Sequence, residues 1–193
     1  HFFTPEISMD IQRHLGADII MAFDECPPGQ SDEKTVKFAV DRTTRWIKEC
    51  QAFLNENESL YDWNQILFPI VQGGIFPNLR KESACSLIPY ADSGIAIGGL
   101  AVGEEKNAMF ETIYLMDSLL PKDQPRYLMG VGRPTDLVKS VQNGIDMFDC
   151  VLPTRNARNG QLFTSKGIIN IGNKIHKESF QKLDSDCGCY TCK

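Results

Sequence analysis

Between Gly144 and Gln161 the chain reads GIDMFDCVLPTRNARNGQ, and three side chains in it have reactive potential. A short apolar run from Asp146 to Leu152 carries Asp149 near its end and feeds a Pro-stopped loop bearing Arg155 and Arg158. A carboxylate at the end of a strand, followed at once by paired guanidinium groups, suits a nucleophile working beside bound phosphate. The same letters also describe a buried strand and a polar turn, with Asp149 as a loop-start hydrogen-bond acceptor. A second cluster, Cys187-X-Cys189-X-X-Cys192, has the spacing of three corners of a tetrahedral zinc site. Three thiolates and one more ligand leave no open position, so such a zinc would be structural. His176 is too far upstream for a usual pairing, which puts the fourth ligand beyond Lys193. An unliganded group of reactive thiols is the alternative.

A third set is dispersed. Asp24, Gln72 and the pair Gly98-Gly99 each follow a short apolar run. Together they offer carboxylate and amide-oxygen acceptors, an amide donor and exposed backbone N–H groups. That combination complements the edge of a guanine-like base, whose N1–H and amino group need acceptors and whose carbonyl needs donors. Cys26 and Met129 are soft walls for a flat ring. Gly130-Val131-Gly132-Arg133 reads as a tight turn or, alternatively, as a phosphate loop.

The elements that must position these residues alternate in type. Thr4-Pro5 opens a helix with Ile7, Ile11 and Leu15 at helical spacing, closed by Gly16. Asp18 to Phe23 is a continuous apolar run typical of a strand buried on both faces. Asp32 to Leu54 repeats Val36, Ala39/Val40, Thr43, Trp46/Ile47, Cys50 and Phe53/Leu54 at steps of three and four, an amphipathic helix. Strands follow at 67–71, 94–97, 127–129 and 145–150, with helices near 78–90, 108–120 and 134–143. Short buried strands alternating with helices specify a parallel α/β sheet. Chemically useful residues end every strand, which favours a (β/α)8 TIM barrel over a doubly wound sheet with one phosphate loop. Five strands cannot close such a barrel, so the first three are expected upstream of His1. Residues 161–171 alternate around Ser165-Lys166-Gly167 as a β-hairpin, and 174–182 is polar with helical character.

Composition narrows the function classes. The 193 residues carry a net charge of −5, which argues against indiscriminate binding to nucleic acid. Residues 151–193, however, hold seven Lys/Arg against three acids, a basic segment following an acidic body. No apolar run approaches the roughly 18 residues of a membrane span. The opening, HFFTPE, lacks an initiator Met and the basic start of a signal peptide, and the chain stops just after the cysteines. The expectation is a fragment cut at both ends, from a reducing compartment where the seven cysteines stay thiols.

The motifs FDEC (23–26), VQGG (71–74), GGLAVGE (98–104), YLMGVG (127–132) and FDCVLPTRNARNGQ (148–161), with the CxCxxC cluster, resemble those of the tRNA-guanine transglycosylases, or queuine tRNA-ribosyltransferases. The resemblance covers essentially the whole chain. It implies that residues 1–152 are the C-terminal portion of the (β/α)8 catalytic barrel. Residues 153–193 would be a tRNA-binding loop, a hairpin and the start of a zinc-binding subdomain. It further implies a cytoplasmic transferase of queuosine biosynthesis, with no membrane attachment. Such an enzyme exchanges guanine at the wobble position of tRNAs with GUN anticodons for 7-aminomethyl-7-deazaguanine, by double displacement through a covalent enzyme–RNA intermediate. By position, Asp149 would be the nucleophile, and Asp24, Gln72, Gly99 and Leu100 would line the base pocket with Cys26 and Met129 beside it. Arg155 and Arg158 would hold the tRNA backbone. Cys187, Cys189 and Cys192 would ligate one structural Zn2+, with a histidine beyond Lys193 as fourth ligand. Family members commonly form homodimers. The family's general acid/base aspartate, in a Ser-Gly-Gly segment, is absent from this sequence, so the chain alone is expected to be inactive. Val102 and Cys26 look like the bacterial type, which favours the aminomethyl precursor over queuine. A small-molecule barrel enzyme using Gly130–Gly132 for phosphate leaves the thiols and the basic segment unexplained. A non-catalytic member of the family would not need both Asp149 and Asp24.

Overall fold

The computed structural model describes residues 2–193. It divides into two compact units, His1–Asp149 and Cys150–Lys193.

In the first unit, helices and parallel strands alternate: α1 (Pro5–Leu15), β1 (Ile19–Met21), α2 (Glu33–Glu56), β2 (Ile66–Phe68), β3 (Ile70–Val71), α3 (Pro77–Leu87), β4 (Ile95–Ile97), α4 (Lys106–Leu119), β5 (Arg126–Leu128), α5 (Pro134–Gln142) and β6 (Met147–Phe148). The expected strand 67–71 is split in two at Pro69, which has no N–H to give to a ladder. Its first half pairs with β1 and its second with β4. Pro69 still accepts from Ala96 N–H at 2.8 Å, so the break costs one donor and keeps the line of the strand. Beyond it, β4 pairs with β5 and β5 with β6, every pair parallel and in chain order. All strand C-termini therefore point the same way. This is the α/β parallel sheet that the alternation specifies.

Helix caps follow the sequence signals. Thr4 Oγ1 accepts from Ile7 N–H, and Gly16 closes α1 in the left-handed region at φ 70°. Asp32 accepts from Thr35 N–H at the start of α2. The α2 face Val36–Ala39–Val40–Thr43–Ile47–Cys50 is buried as its period requires. In α1 the expected stripe does not face the core. Ile7, Ile11 and Leu15 are exposed, while Met9 is fully buried and Arg13 nearly so. Helical spacing fits both stripes of this short helix, and the thioether with the long Arg stem takes the inner one. The core joins Ile20, Val71, Ile95, Ile97 and Leu128 of the sheet to Met9, Ile47, Cys50, Leu87, Ile113 and Met116 of the helices.

At the N-terminal end of β5, Arg126 is only 3% exposed. Its guanidinium donates to Asp117 Oδ1 at 2.6 Å, Leu120 O at 2.7 Å and Pro121 O at 2.8 Å. Its own N–H donates to Asp146 Oδ2 at 2.9 Å, linking the starts of β5 and β6.

In the second unit, residues 152–158 are a helix, α6 (Leu152–Arg158), where the sequence reading expected a loop. Pro153 sits in its first turn, where a missing N–H is harmless, so the proline starts the helix and does not stop it. β7 (Gln161–Thr164) and β8 (Gly167–Asn170) form the expected hairpin. Of the polar stretch 174–182, only Lys174–His176 is helical, as one 3-10 turn. Among the described residues no helix is long and apolar enough to cross a membrane.

Arg126→Met removes the cation from one buried hub and leaves several carbonyls and Asp117 without a donor. We expect a loss of about 3 kcal/mol, read from the urea midpoint, because breaking a buried pair strands its partner.

Candidate active site

The strand C-termini bring two groups of side chains to one edge of the sheet in the first unit. The first group is built on the ends of β1, β3 and β4. Gln72 is fully buried, and its Nε2 donates to Asp24 Oδ2 at 2.5 Å. Its main-chain N–H is taken by Ser83 Oγ at 3.1 Å, which fixes the residue from behind. Its Oε1 has no hydrogen-bond partner among the described residues, an open acceptor in a buried place. Burial pushes the Asp24 carboxyl above its ordinary range, against the pull of the Gln72 amide. Gly98 and Gly99 make this packing possible. A Cβ at 98 would stand 2.6 Å from Gln72 Nε2, and one at 99, where φ is 65°, would stand 2.4 Å from Oε1. Only glycine leaves the amide its place.

After Gly99 the chain takes an unusual course. Ala101 has φ 58°, a left-handed conformation for a residue with a side chain, which costs on the order of 1 kcal/mol. The Glu104 carboxylate holds it there, accepting from Ala101 N–H at 2.5 Å and Val102 N–H at 2.9 Å. In a trans peptide the carbonyl opposes the N–H, so the Leu100 carbonyl is turned away from Glu104. Leu100 itself is buried, Cys26 is exposed, and burial then Asp24 raise the Cys26 thiol above its ordinary range.

The second group is built on β5 and β6. Asp149 Oδ1 accepts from the Tyr127 hydroxyl at 2.7 Å and from Gly130 N–H at 2.9 Å. Both bonds go to one oxygen, which orients the carboxylate and leaves Oδ2 without a partner among the described residues. The Gly130 amide, a candidate phosphate donor in the GVG turn, is thus committed to Asp149. Met129 is half-buried on the strand end between them.

In the second unit, Arg155 and Arg158 are both exposed on α6, three residues apart and so on one face. Cys187, Cys189 and Cys192 converge, their sulfur atoms within 4.8 Å of one another. A zinc ion with Zn–S bonds of about 2.3 Å needs sulfurs roughly 3.8 Å apart, so a small closure of this loop suffices and the donor set fits. The Cys192 main-chain N–H and the Cys187 thiol pull the Cys189 thiol below its ordinary range.

The family model for queuine tRNA-ribosyltransferase matches residues 1–193. The chain belongs to the queuine tRNA-ribosyltransferase family. Among its relatives, the queuine tRNA-ribosyltransferase of Halothermothrix orenii is 51% identical over 193 residues, covering 100% of this chain and 50% of that protein. That of Thermoanaerobacter sp. is 50% identical over 193 residues, again with 100% and 50% covered. That of Pseudomonas syringae is 48% identical over 192 residues, also with 100% and 50% covered. The chain thus spans about half the length of the curated relatives it matches.

Three residues of this family member escaped the sequence reading: Tyr127, Glu104 and Arg80. Tyr127 had a legible signal, since it lies two residues before Met129 on a strand and so shares its face. Glu104 ends the GGLAVGE motif, but nothing in the letters says that it holds the backbone N–H groups at 101 and 102. Burial, then the bond to Asp149, raises the Tyr127 hydroxyl well above the ordinary tyrosine range. The folded form therefore keeps this proton longer than the unfolded one. Its stabilising contribution is complete below the ordinary tyrosine pKa and is lost as pH rises toward the raised value. In an alkaline ultraviolet titration of the five tyrosines, one ionises late, and Tyr127→Phe removes that late step.

Proposed function

We propose that this chain carries the nucleophile and most of the base pocket of a tRNA-guanine transglycosylase, a cytoplasmic enzyme. It would replace guanine at the wobble position of GUN-anticodon tRNAs with 7-aminomethyl-7-deazaguanine in queuosine biosynthesis. The observation that carries the reading is the Asp149 carboxylate, held by one oxygen at the strand end with the other free. The first unit is read as the C-terminal portion of a (β/α)8 barrel. The second, with Arg155 and Arg158 on α6, supplies phosphate contacts that position tRNA without reading its sequence. Cys187, Cys189 and Cys192 hold Zn2+, with the fourth ligand outside this chain. Bound there, the ion is a structural cross-link. The assembled enzyme is read as a homodimer.

The chemistry is a double displacement. Asp149 Oδ2 attacks C1′ of the target ribose, the C1′–N9 bond breaks, and its electron pair leaves with guanine. The proton for that nitrogen comes from an acid outside this chain. The result is a sugar ester on Asp149. The same outside group, now a base, takes the N9 proton of the incoming deazaguanine as N9 attacks C1′, and the ester bond returns its electrons to the Asp149 carboxylate. Tyr127 O–H and Gly130 N–H keep their grip on Oδ1 throughout, so the leaving carboxylate is stabilised as its charge reappears. The base must be out of its stack to reach the strand ends, which an anticodon loop permits.

Base recognition follows from the first group. The Asp24 carboxylate and Gln72 Oε1 accept from N1–H and the amino group, and the Leu100 amide faces the carbonyl. The Leu100 carbonyl, turned from Glu104, is an acceptor for the ammonium of an aminomethyl substituent. Val102, 39% exposed at the rim, narrows the room for anything larger and disfavours queuine.

Asp149→Asn in the full-length protein should abolish the adduct with substrate tRNA on a denaturing gel, and an adduct forming at the normal rate would sink the reading. Acceptance of two donors requires ionised Asp24. Guanine affinity should therefore weaken as pH falls, starting above the ordinary carboxylate range because the Asp24 pKa is raised. A calorimetric pH series measures this, and Asp24→Asn flattens the profile.

A further inference from the structure

Arg80 is the largest fully buried side chain, a guanidinium with no exposed surface. No carboxylate lies in hydrogen-bond contact with it among the described residues. Its partners are main-chain oxygens: Nε donates to Gly74 O at 2.7 Å, Nη1 to Val71 O at 2.9 Å and Nη2 to Gly99 O at 3.3 Å. Burial lowers it to about 10, with Cys26 and then Glu104 pulling the other way, so it is a cation at neutral pH. Burying a charge without a counter-charge is expensive, and a core position of this kind is ordinarily filled by an apolar residue. The three carbonyls explain what the charge does. They belong to the end of β3, to the turn after Gln72, and to the loop after β4. One planar fork therefore clamps together the two strand ends that carry Gln72 and Gly99.

The clamp has a directional consequence. With the Gly99 carbonyl drawn onto Arg80, the N–H of Leu100 must point to the other side of that peptide. No protein acceptor takes the N–H of Leu100 among the described residues. The Gly99 N–H is directed at the Cys26 thiol. The Leu100 N–H is thus an unpaired donor in buried backbone, where such groups are rare.

We propose that Arg80 is a positioning residue for base recognition: it holds the Gly99–Leu100 peptide with its carbonyl inward, so that the Leu100 N–H is presented to the carbonyl edge of a purine. The inference rests on the base-exchange reading above. A cation on the carbonyl side also polarises the peptide and strengthens its N–H as a donor. Arg80 never touches the base.

The test uses the full-length protein with guanine and substrate tRNA, comparing wild type, Arg80→Lys and Arg80→Met. Lysine keeps the charge and the stem but cannot span three carbonyls with a fixed fork. Methionine keeps only the apolar stem. We expect KM for guanine to rise on the order of tenfold in Arg80→Lys, about the worth of one well-placed hydrogen bond, and further in Arg80→Met. KM for tRNA should stay within about twofold, because phosphate contacts lie elsewhere. If the methionine variant does not accumulate, the lysine variant decides. An unchanged guanine KM in Arg80→Lys, or equal losses for guanine and tRNA, overturns the proposal. Failure of the wild type to exchange guanine at all would overturn the underlying reading instead, so the two failures are distinct.

Discussion

The parallel ladder in chain order is the constraint from which the rest follows. Because β1 pairs with β2 and β3 to β6 pair side by side in chain order, all parallel, every strand delivers its last residue to the same end of its sheet. The chain can then place Asp24 beside Gln72 and Gly99, and Asp149 beside Tyr127 and Gly130, although the partners in each group lie far apart in sequence. The core supports this by burying β3 and β4 completely, where close packing ties each side chain to its own place. The opposite end of the sheet is tied shut by Arg126 through carbonyls and Asp117. Precision at one end is bought by rigidity at the other.

Much of the fold was legible because its signals are local. Helix periodicity in α2, caps at Thr4, Asp32 and Gly16, and apolar runs bounded by Gly and Asp each follow from neighbouring residues. Legibility failed where the deciding information was not local. The stripe Ile7–Ile11–Leu15 was as periodic as the one that is buried, and only the rest of the sheet selects between them. Pro153 reads equally as a helix stop or a helix start, and the seven residues after Val151 resolve it as α6. Pro69 split a strand that composition alone makes continuous.

At the site, residue types announced themselves better than their connections. A carboxylate at 149, an amide at 72 and paired glycines were visible as chemistry. That both Tyr127 and Gly130 spend their donors on one oxygen of Asp149 was not, since the contact crosses between strands. Arg80 was invisible for a different reason: a charged residue in an amphipathic stretch is ordinarily read as the solvent face, and this one has no exposure. The backbone carbonyls that hold it carry no letter in the sequence.

On the base-exchange reading proposed above, the bond between Asp24 and Gln72 has a further meaning for selectivity. The bond uses Gln72 Nε2 and leaves Oε1 without a partner among the described residues, so an incoming ring must bring a donor to that buried oxygen as well as one to the carboxylate. A purine with hydrogen-bond donors at its first and second positions can do so. One bearing an amino group where guanine has its oxygen, and lacking the second donor, would leave the buried Gln72 Oε1 unpaired. Discrimination of that kind comes from what the wrong molecule strands, and it is steeper than any preference built on fit alone.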